Sequence, residues 1–533
     1  MQGEAIPTLA SLGQPGAADT VTEILAQLAG GLASVFSPVN FAVLLVGLVL
    51  GMLVAVLPGL TLVMGVVLAL PFTYKMGVIP ALVLLTAMYT SGTYGGAITA
   101  ILFRIPGEPM DVPLLWDGYE MTRQGKAAEA LGWSLVAAFV GGMASAVVMV
   151  LMSKPVAAVA LQFSSPEFFA VVFFGLASVV TLSGSSMVNS LISLCLGLLI
   201  ATVGVDSIYG AERFAFGLPF LLDGIEFLLV MVGAYGIGEV LTRMRAGFTS
   251  NEAQNGAQNG VQEARFRTSF PRLAQMLRMK ATFVRGTLTG IFVGVVPGAG
   301  ATVSAFVAYG MESQYGKARK ELGKGSPEGI VVAKSAATAS VGGAMVPLLT
   351  MGIPGSGATA IILAAFLLQG IQPGPQVFAS NPEMVYAVFA TVFVSVIGMC
   401  VLGFFAIRPL CKVLDAPEAI VSAFVIVFCF VGAFAARNSL SDLYVISIFG
   451  LLGYLFERYD FPIAPLVLGT ILGPLAETNF MTTMVSFDND WTVFFTRPIS
   501  GTILVLSLLG IGWPLARIIL ARRHGRTAAT PRG

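Results

Sequence analysis

Charge is what this sequence has least of. Only 11% of its 533 residues are Asp, Glu, Lys or Arg, against 56% hydrophobic. A water-soluble domain averages about 25% charged and 45–50% apolar residues, so a soluble fold of this length could not clothe its surface. Lipid can be the solvent for such a chain. The formal net charge is +1, which leaves no global field to attract nucleic acid. Histidine is nearly absent. The one copy, His524, sits in the basic tail, which leaves no material for a His-based catalytic or metal centre. The four cysteines, Cys195, Cys400, Cys411 and Cys429, lie in or beside apolar runs and form no CxxC pair; they read as small core hydrophobes. The first 37 residues hold no Lys or Arg, so the positive region of a cleavable signal peptide is missing. No GxxxxGK[ST] loop occurs, which speaks against ATP as the energy source.

Long apolar runs are present instead. They include Asn40–Leu57, Leu131–Met152, Val188–Val205, Met384–Ile407, Ile420–Ala436 and Thr502–Ile519. Several approach the roughly 20 residues that cross a hydrocarbon layer, and others are shorter and bounded by Gly or Pro. The expectation is an all-α polytopic membrane protein of about ten to twelve spans.

The expected organisation has five parts. Residues 1–37 form an N-terminal segment with an amphipathic surface helix, and 38–240 form a first membrane repeat. Residues 241–283 are a polar linker, 284–522 a second membrane repeat, and 523–533 a basic tail. The linker region carries Arg243, Arg245, Arg265, Arg267, Arg272, Arg278 and Lys280, and the tail adds Arg523, Arg526 and Arg532. The bias of basic residues toward the cytoplasm places both there.

The second half restates the first. Gly51-x-x-x-Ala55-Val-Leu-Pro58-Gly59 corresponds to Gly290-x-x-x-Gly294-Val-Val-Pro297-Gly298. Further on, Gly95-Gly96 and Ile105-Pro106-Gly107-Glu108 correspond to Gly342-Gly343 and Ile353-Pro354-Gly355-Ser356, with one residue inserted in the second copy. With the charge bias, the halves read as two inverted repeats holding broken or re-entrant helical hairpins. Such repeats with interrupted apolar segments mark secondary transporters, with the binding site near the midplane.

Pro removes a backbone donor and Gly opens positive φ, so a Pro-Gly pair ends a helix sharply. Backbone freed in this way cannot stay bare in hydrocarbon. A helix restarting after the break aims N–H groups and a partial positive charge at that point, which suits a carboxylate. Hydroxyls follow the breaks: Thr61, then Thr302 and Ser304, then Ser356 and Thr359. The candidate solute-binding residues are therefore Pro58, Gly59, Thr61, Gly95, Gly96, Pro106, Gly107, Glu108, Pro297, Gly298, Gly300, Thr302, Ser304, Gly342, Gly343, Pro354, Gly355 and Ser356. A sodium ion has candidate positions near Thr302, Ser304, Ser356 and Thr359. The competing reading is that Gly permits close helix packing and the hydroxyls bond their own backbone. Ionisable residues beside apolar segments are Arg104, Glu108, Asp111, Asp206, Glu239, Arg408, Arg437, Asp442 and Glu477; charges at membrane depth are functional candidates. The stretches 117–126 and 317–334 read as solvated loops.

These residues resemble the large permease subunit of the tripartite tricarboxylate transporters. The likeness rests on residues 51–59, Leu70-Pro-Phe-Thr-Tyr74, 91–101, Ile105-Pro-Gly-Glu108 and Asp117-Gly-Tyr119. In the second half it rests on 296–302, Gly323-Lys-Gly-Ser-Pro-Glu-Gly329, Gly352-Ile-Pro-Gly-Ser356, 370–375 and Leu472-Gly-Pro474. The resemblance implies a bacterial inner-membrane permease driven by a cation gradient, sodium or proton, with no other cofactor and no enzymatic activity. It implies a small four-span membrane subunit and a periplasmic solute-binding protein as partners, and small carboxylates as solutes; homo-oligomers are compatible with it. The chain departs from the family pattern at Arg104, Lys334, Ala337, Thr338, Met481 and Thr482. Lost amides and arginines there point away from citrate and toward a smaller or more aromatic acid. A passive anion channel and a membrane-embedded enzyme on lipid-linked substrates are the alternatives.

Overall fold

The computed structural model describes residues 17–57, 60–182, 186–206, 210–246, 268–316, 318–407, 409–410 and 418–523. Pro58, Gly59, Arg408, Cys411, the inner linker 247–267 and the tail with His524 lie outside the described residues. The chain is almost entirely helical and polytopic. In the first half the principal helices are α1 (Ala17–Val35), α2 (Pro38–Val56), α3 (Leu62–Thr73), α4 (Val78–Phe103), α5 (Val112–Arg123), α6 (Ala127–Ala160), α7 (Ser165–Leu182) and α8 (Met187–Ala201). Then α9 begins as Phe227–Met231, passes through a π-helical turn at Val232–Ile237 and ends as Gly238–Ala246. The second half has α10 (Lys280–Val295), α11 (Gly300–Tyr315), α12 (Pro327–Met351), α13 (Gly357–Leu368), α14 (Pro382–Phe405), α15 (Glu418–Arg437), α16 (Ser441–Arg458), α17 (Ile463–Ser486) and α18 (Pro498–Arg523). Among the described residues, seven helices are long and apolar enough to cross a membrane, and six shorter apolar helices accompany them. The shorter set includes α3 and α13, which follow chain breaks.

Two helices form the centre. The apolar stretch of α12 is 100% buried within the protein and that of α4 is 83% buried, against 44% for α2. A helix so enclosed needs neighbours that come close, and small residues allow it. α2 packs along α4 in the same direction: a Cβ on Gly47 would lie 2.7 Å from Leu84 O, and one on Gly51 would lie 2.3 Å from Met88 O. α10 packs along α12 in the same way, with Gly286 on Val332 O, Gly290 on Ala336 O and Gly294 on Ser340 O.

The halves also exchange helices. α6 of the first half lies along α12 of the second, where Gly141 meets Ser335 O and Gly342 meets Ser145 O. α14 of the second half packs on α4 of the first, where Gly403 meets the Tyr94 ring. α6 and α14 touch each other in opposite directions: Leu135 meets Gly403, while further along Gly142 meets Val396. α4 and α12 also run oppositely, with Thr93 against Lys334 and Tyr89 reaching Ser356 just beyond the end of α12. α1 packs on α14, with Gly31 under Tyr386 O.

Both central helices end in the same way. Arg104 (φ 61°) and Gly352 (φ 71°) adopt the left-handed conformation, and the next residues fold back, Ile105 N–H to Thr99 O at 3.4 Å and Ile353 N–H to Pro347 O at 3.2 Å. This closes orphan carbonyls at a helix end. A Cβ in the left-handed region costs roughly 1–2 kcal/mol, and Asn tolerates it better than Arg does.

The close helix approaches lead to a contrast. Gly141→Val puts atoms into the Ser335 carbonyl and should abolish the monodisperse peak of purified protein in size-exclusion chromatography. Gly310, within α11, has nothing within 4 Å of a built Cβ. Gly310→Ala should elute normally and unfold at the same or a higher temperature, by up to about 1 kcal/mol of helix propensity.

Candidate functional site

The breaks in the chain meet at the centre. In the first half, α3 restarts with Thr61 as its N-cap, whose hydroxyl accepts from Met64 N–H at 3.2 Å. The next orphan donor, Leu62 N–H, goes to the carboxylate of Glu108, beside Pro106-Gly107. In the second half, α11 restarts after Pro297-Gly298, with Gly298 at φ 79° and Gly300 at φ 57°. Gly300 N–H goes to the carbonyl of Gly355 at 3.3 Å. In each half, then, the helix after the first break gives an N–H to the second break.

The two halves also touch here. A Cβ on Gly357, the first residue of α13, would lie 3.2 Å from a methyl of Val63 in α3. Ser356 Oγ donates to Tyr89 Oη at 3.2 Å. Ser356 and Thr359 form a reciprocal cap, with Ser356 N–H to Thr359 Oγ1 at 2.8 Å and Thr359 N–H to Ser356 Oγ at 3.2 Å. Glu108 and Ser356 occupy equivalent places in the two halves and are only 6% and 8% exposed.

The remaining candidates divide by role. Gly107 lies against Ala55 O and the Cα of Gly96, and Gly355 against Gly294 O. Gly95 abuts Met52 O, Gly342 abuts Ser145 O and Gly343 abuts Ile291 O, so these helical glycines face neighbouring backbone. Ser304 is buried and donates to Gly300 O at 2.8 Å; Thr302 is half-buried. Pro58 and Gly59 lie outside the described residues. A cavity of about 320 Å³ adjoins the second half's broken helix, lined by Met351, Gly352, Leu363, Gln372, Gln376 and Asn479 among others.

Two charged residues sit where the sequence reads as solvated loop, and both readings need correcting. Lys334 is not in a loop but in α12, 1% exposed. Its ammonium donates to Asp111 Oδ1 at 2.6 Å and Thr93 O at 2.6 Å, and lies 5.7 Å from the centroid of the Tyr94 ring. Pairing makes this burial tolerable; removal of either partner alone would strand a charge, at a cost of about 3–5 kcal/mol. Asp117 is fully buried in α5. Its Oδ1 accepts from the backbone N–H groups of Gly323 (2.9 Å), Gly325 (3.1 Å) and Ser326 (2.8 Å), and its Oδ2 accepts from Tyr309 Oη (2.8 Å). It thereby pins the glycine-rich loop before α12 onto the first half.

Other ionisable groups stand further out. Glu477 pairs with Arg213, Nη2 to Oε2 at 3.2 Å, and Arg213 lies 3.9 Å from Asp206. A two-residue antiparallel ladder, Gly204–Val205 with Glu212–Arg213, holds that arginine in place. Glu239 pairs with Arg243 at 3.0 Å, Asp442 is buried, and Arg104 is exposed with its guanidinium 5.8 Å from the centroid of the Tyr119 ring. Arg285 binds the buried Glu312 at 2.7 Å and Arg497 the buried Glu167 at 2.9 Å; sequence reading alone singles out neither pair.

Comparison with known proteins gives a family. Residues 41–468 match the model described as "Tripartite tricarboxylate transporter TctA family". An Agrobacterium vitis protein named "Uncharacterized 52.8 kDa protein in TAR-I ttuC' 3'region" is 33% identical over 501 residues, covering 94% of this chain and 98% of its own length. A second protein from that organism, "Uncharacterized protein in TAR-II ttuC' 3'region", is 34% identical over 234 residues, which is 44% of this chain and 97% of its own. No solved structure matches.

The Asp117 clamp yields a ranking. Asp117→Ala leaves the buried N–H of Ser326 unpaired, at about 1–3 kcal/mol, and also strips the part-exposed N–H groups of Gly323 and Gly325 of their acceptor. It should lower the unfolding temperature in detergent the most. Asp117→Asn, which keeps one acceptor oxygen, should fall between, and Tyr309→Phe should cost least, about 1 kcal/mol. Equal shifts across the three variants would refute the clamp.

Proposed function

Because the chain belongs to the tripartite tricarboxylate transporter TctA family, we propose that it is the permease subunit of a cation-gradient-driven carrier for small organic anions. The solute is a carboxylate, handed over by a periplasmic binding protein, and a small four-span membrane subunit completes the complex. The chain lies in the bacterial inner membrane with its linker and C-terminus in the cytoplasm. Its halves are inverted repeats. The opposite directions of α6 and α14, which hold equivalent places in the two halves, support this, as do those of α4 and α12.

The observation that carries the reading is the meeting of the breaks. Leu62 N–H and Gly300 N–H, each at the start of a helix, point into one shared region and are closed there by Glu108 and the Gly355 carbonyl. Helix starts of this kind hold carboxylates through backbone donors and the helix dipole. The hydroxyls of Thr61 and Ser356, which cap the helices restarting there, stand at the same breaks. A solute entering there takes over the N–H groups, and one part of the protein shifts against the rest to open the site to the other side.

The solute is a smaller or more aromatic acid than citrate. Lys334 is committed to Asp111 and Thr93, and Glu477 already holds the arginine within its reach, Arg213. That leaves few fixed cations for a tricarboxylate.

Counterflow of labelled citrate, tartrate and benzoate into vesicles carrying the complex tests the reading. Citrate should not be the best solute. Gly355→Val would drive side-chain atoms into Gly294 O, 2.6 Å from a built Cβ. It should reduce counterflow to background with membrane expression unchanged. Retained transport in that variant would overturn the assignment.

A further inference from the structure

We propose that Glu108 is a built-in surrogate for the solute: it occupies the start of α3 while the site is empty and leaves it as a neutral acid, so that one proton travels with each carboxylate carried. This rests on the transport reading above and adds the identity of the coupling ion and its carrier.

Three observations support it. First, the anion-binding donor is already occupied: Leu62 N–H is bonded to the Glu108 carboxylate, from a residue 46 positions away. A solute carboxylate can reach that donor only by displacing Glu108.

Second, the charges around Glu108 do not balance. Glu108, Asp111 and Lys334 are 6%, 0% and 1% exposed. Two carboxylates and one ammonium leave one negative charge in excess. Burying an unpaired charge is costly, and a buried group neutralises itself instead. One proton shared by the two carboxylates removes the excess. The other titratable groups at the cluster are Tyr94, whose ring faces the ammonium, and Cys400 on α14 beyond it. α3 meets Glu108 through the Leu62 N–H, and α11 packs against residues 109–111.

Third, Asp111 has a free oxygen. Oδ1 is bonded to Lys334, whereas Oδ2 is buried with no partner among the described residues. That oxygen lies beside Glu108: a Cβ built on Gly96 would fall 2.3 Å from Asp111 Oδ2 and 2.8 Å from Glu108 N. An unpartnered buried carboxylate oxygen is a ready acceptor for a proton. The equivalent place in the second half is Ser356, a hydroxyl that caps its own helix, so the proton chemistry belongs to the first half alone.

The step balances. The empty site holds the shared proton on Asp111, and a second proton, from water on the loading side, forms an O–H bond on Glu108. The hydrogen bond of Leu62 N–H passes from Glu108 to the incoming carboxylate, and the neutral acid rests against Asp111. On the other side the carboxylate departs, Glu108 releases its proton to water, and its carboxylate returns to Leu62 N–H.

Infrared spectroscopy of the full chain in phosphatidylethanolamine–phosphatidylglycerol vesicles tests this with or without a known solute. Wild-type protein at neutral pH without sodium should show one protonated-carboxyl C=O band that bleaches at high pH. Glu108→Gln and Asp111→Asn each leave one carboxylate opposite one ammonium, so each should lose the band. Lys334→Met should gain a second one. A band that survives in both carboxyl variants, or that is absent from wild type, overturns the proposal. So does a band that sodium abolishes, since the site would then be a sodium site. In the same vesicles, counterflow without any gradient reads the transport assignment separately. With counterflow intact, uptake in wild type should follow an imposed pH gradient and that in Glu108→Gln should not; uptake that follows sodium alone overturns proton coupling and leaves transport standing.

Discussion

A backbone N–H inside a membrane must have a partner, and at the centre of this protein the chain is broken where no helix can supply one. The solution is mutual. Leu62 N–H closes on Glu108, Gly300 N–H closes on the Gly355 carbonyl, and Ser356 with Thr359 closes the start of α13. Among the described residues the breaks lie within reach of one another, and the pairing runs within each half and between them. The glycines along α2, α4, α10 and α12 follow from the same requirement. They let the central helices approach closely enough to bring the broken ends together.

A chain with so few charges places some of them with care. Lys334–Asp111, Arg285–Glu312 and Arg497–Glu167 each contain at least one fully or nearly buried member, and each joins separate elements. Buried pairs of this kind add little net stability, but they penalise any arrangement that separates them. In a protein whose halves must keep register, that penalty specifies the fold.

The repeat and its breaks were legible because Pro-Gly in an apolar run has few physical readings. The recurrence of Pro58-Gly59 as Pro297-Gly298, and of Ile-Pro-Gly at 105–107 and 353–355, is visible without coordinates. The four matching helical glycines were legible as special but not in role, since close packing and solute contact demand the same residue. Lys334 and Asp117 read as solvated in the sequence because charged residues are exposed by default. Their partners lie 223 and about 200 positions away in sequence, a separation across which periodicity carries no information. The stretches Asp117-Gly-Tyr119 and Gly323–Gly329 both stand out in the sequence, yet nothing in either names the other as its partner.

The loop held by Asp117 has a mechanical consequence. Three amides ahead of α12 and the hydroxyl of Tyr309 in α11 are all fastened to one carboxylate on α5. Any displacement that carries the first half's break must therefore drag the second half's long helix with it. In the transport reading proposed above, the part that moves is therefore a composite drawn from both copies.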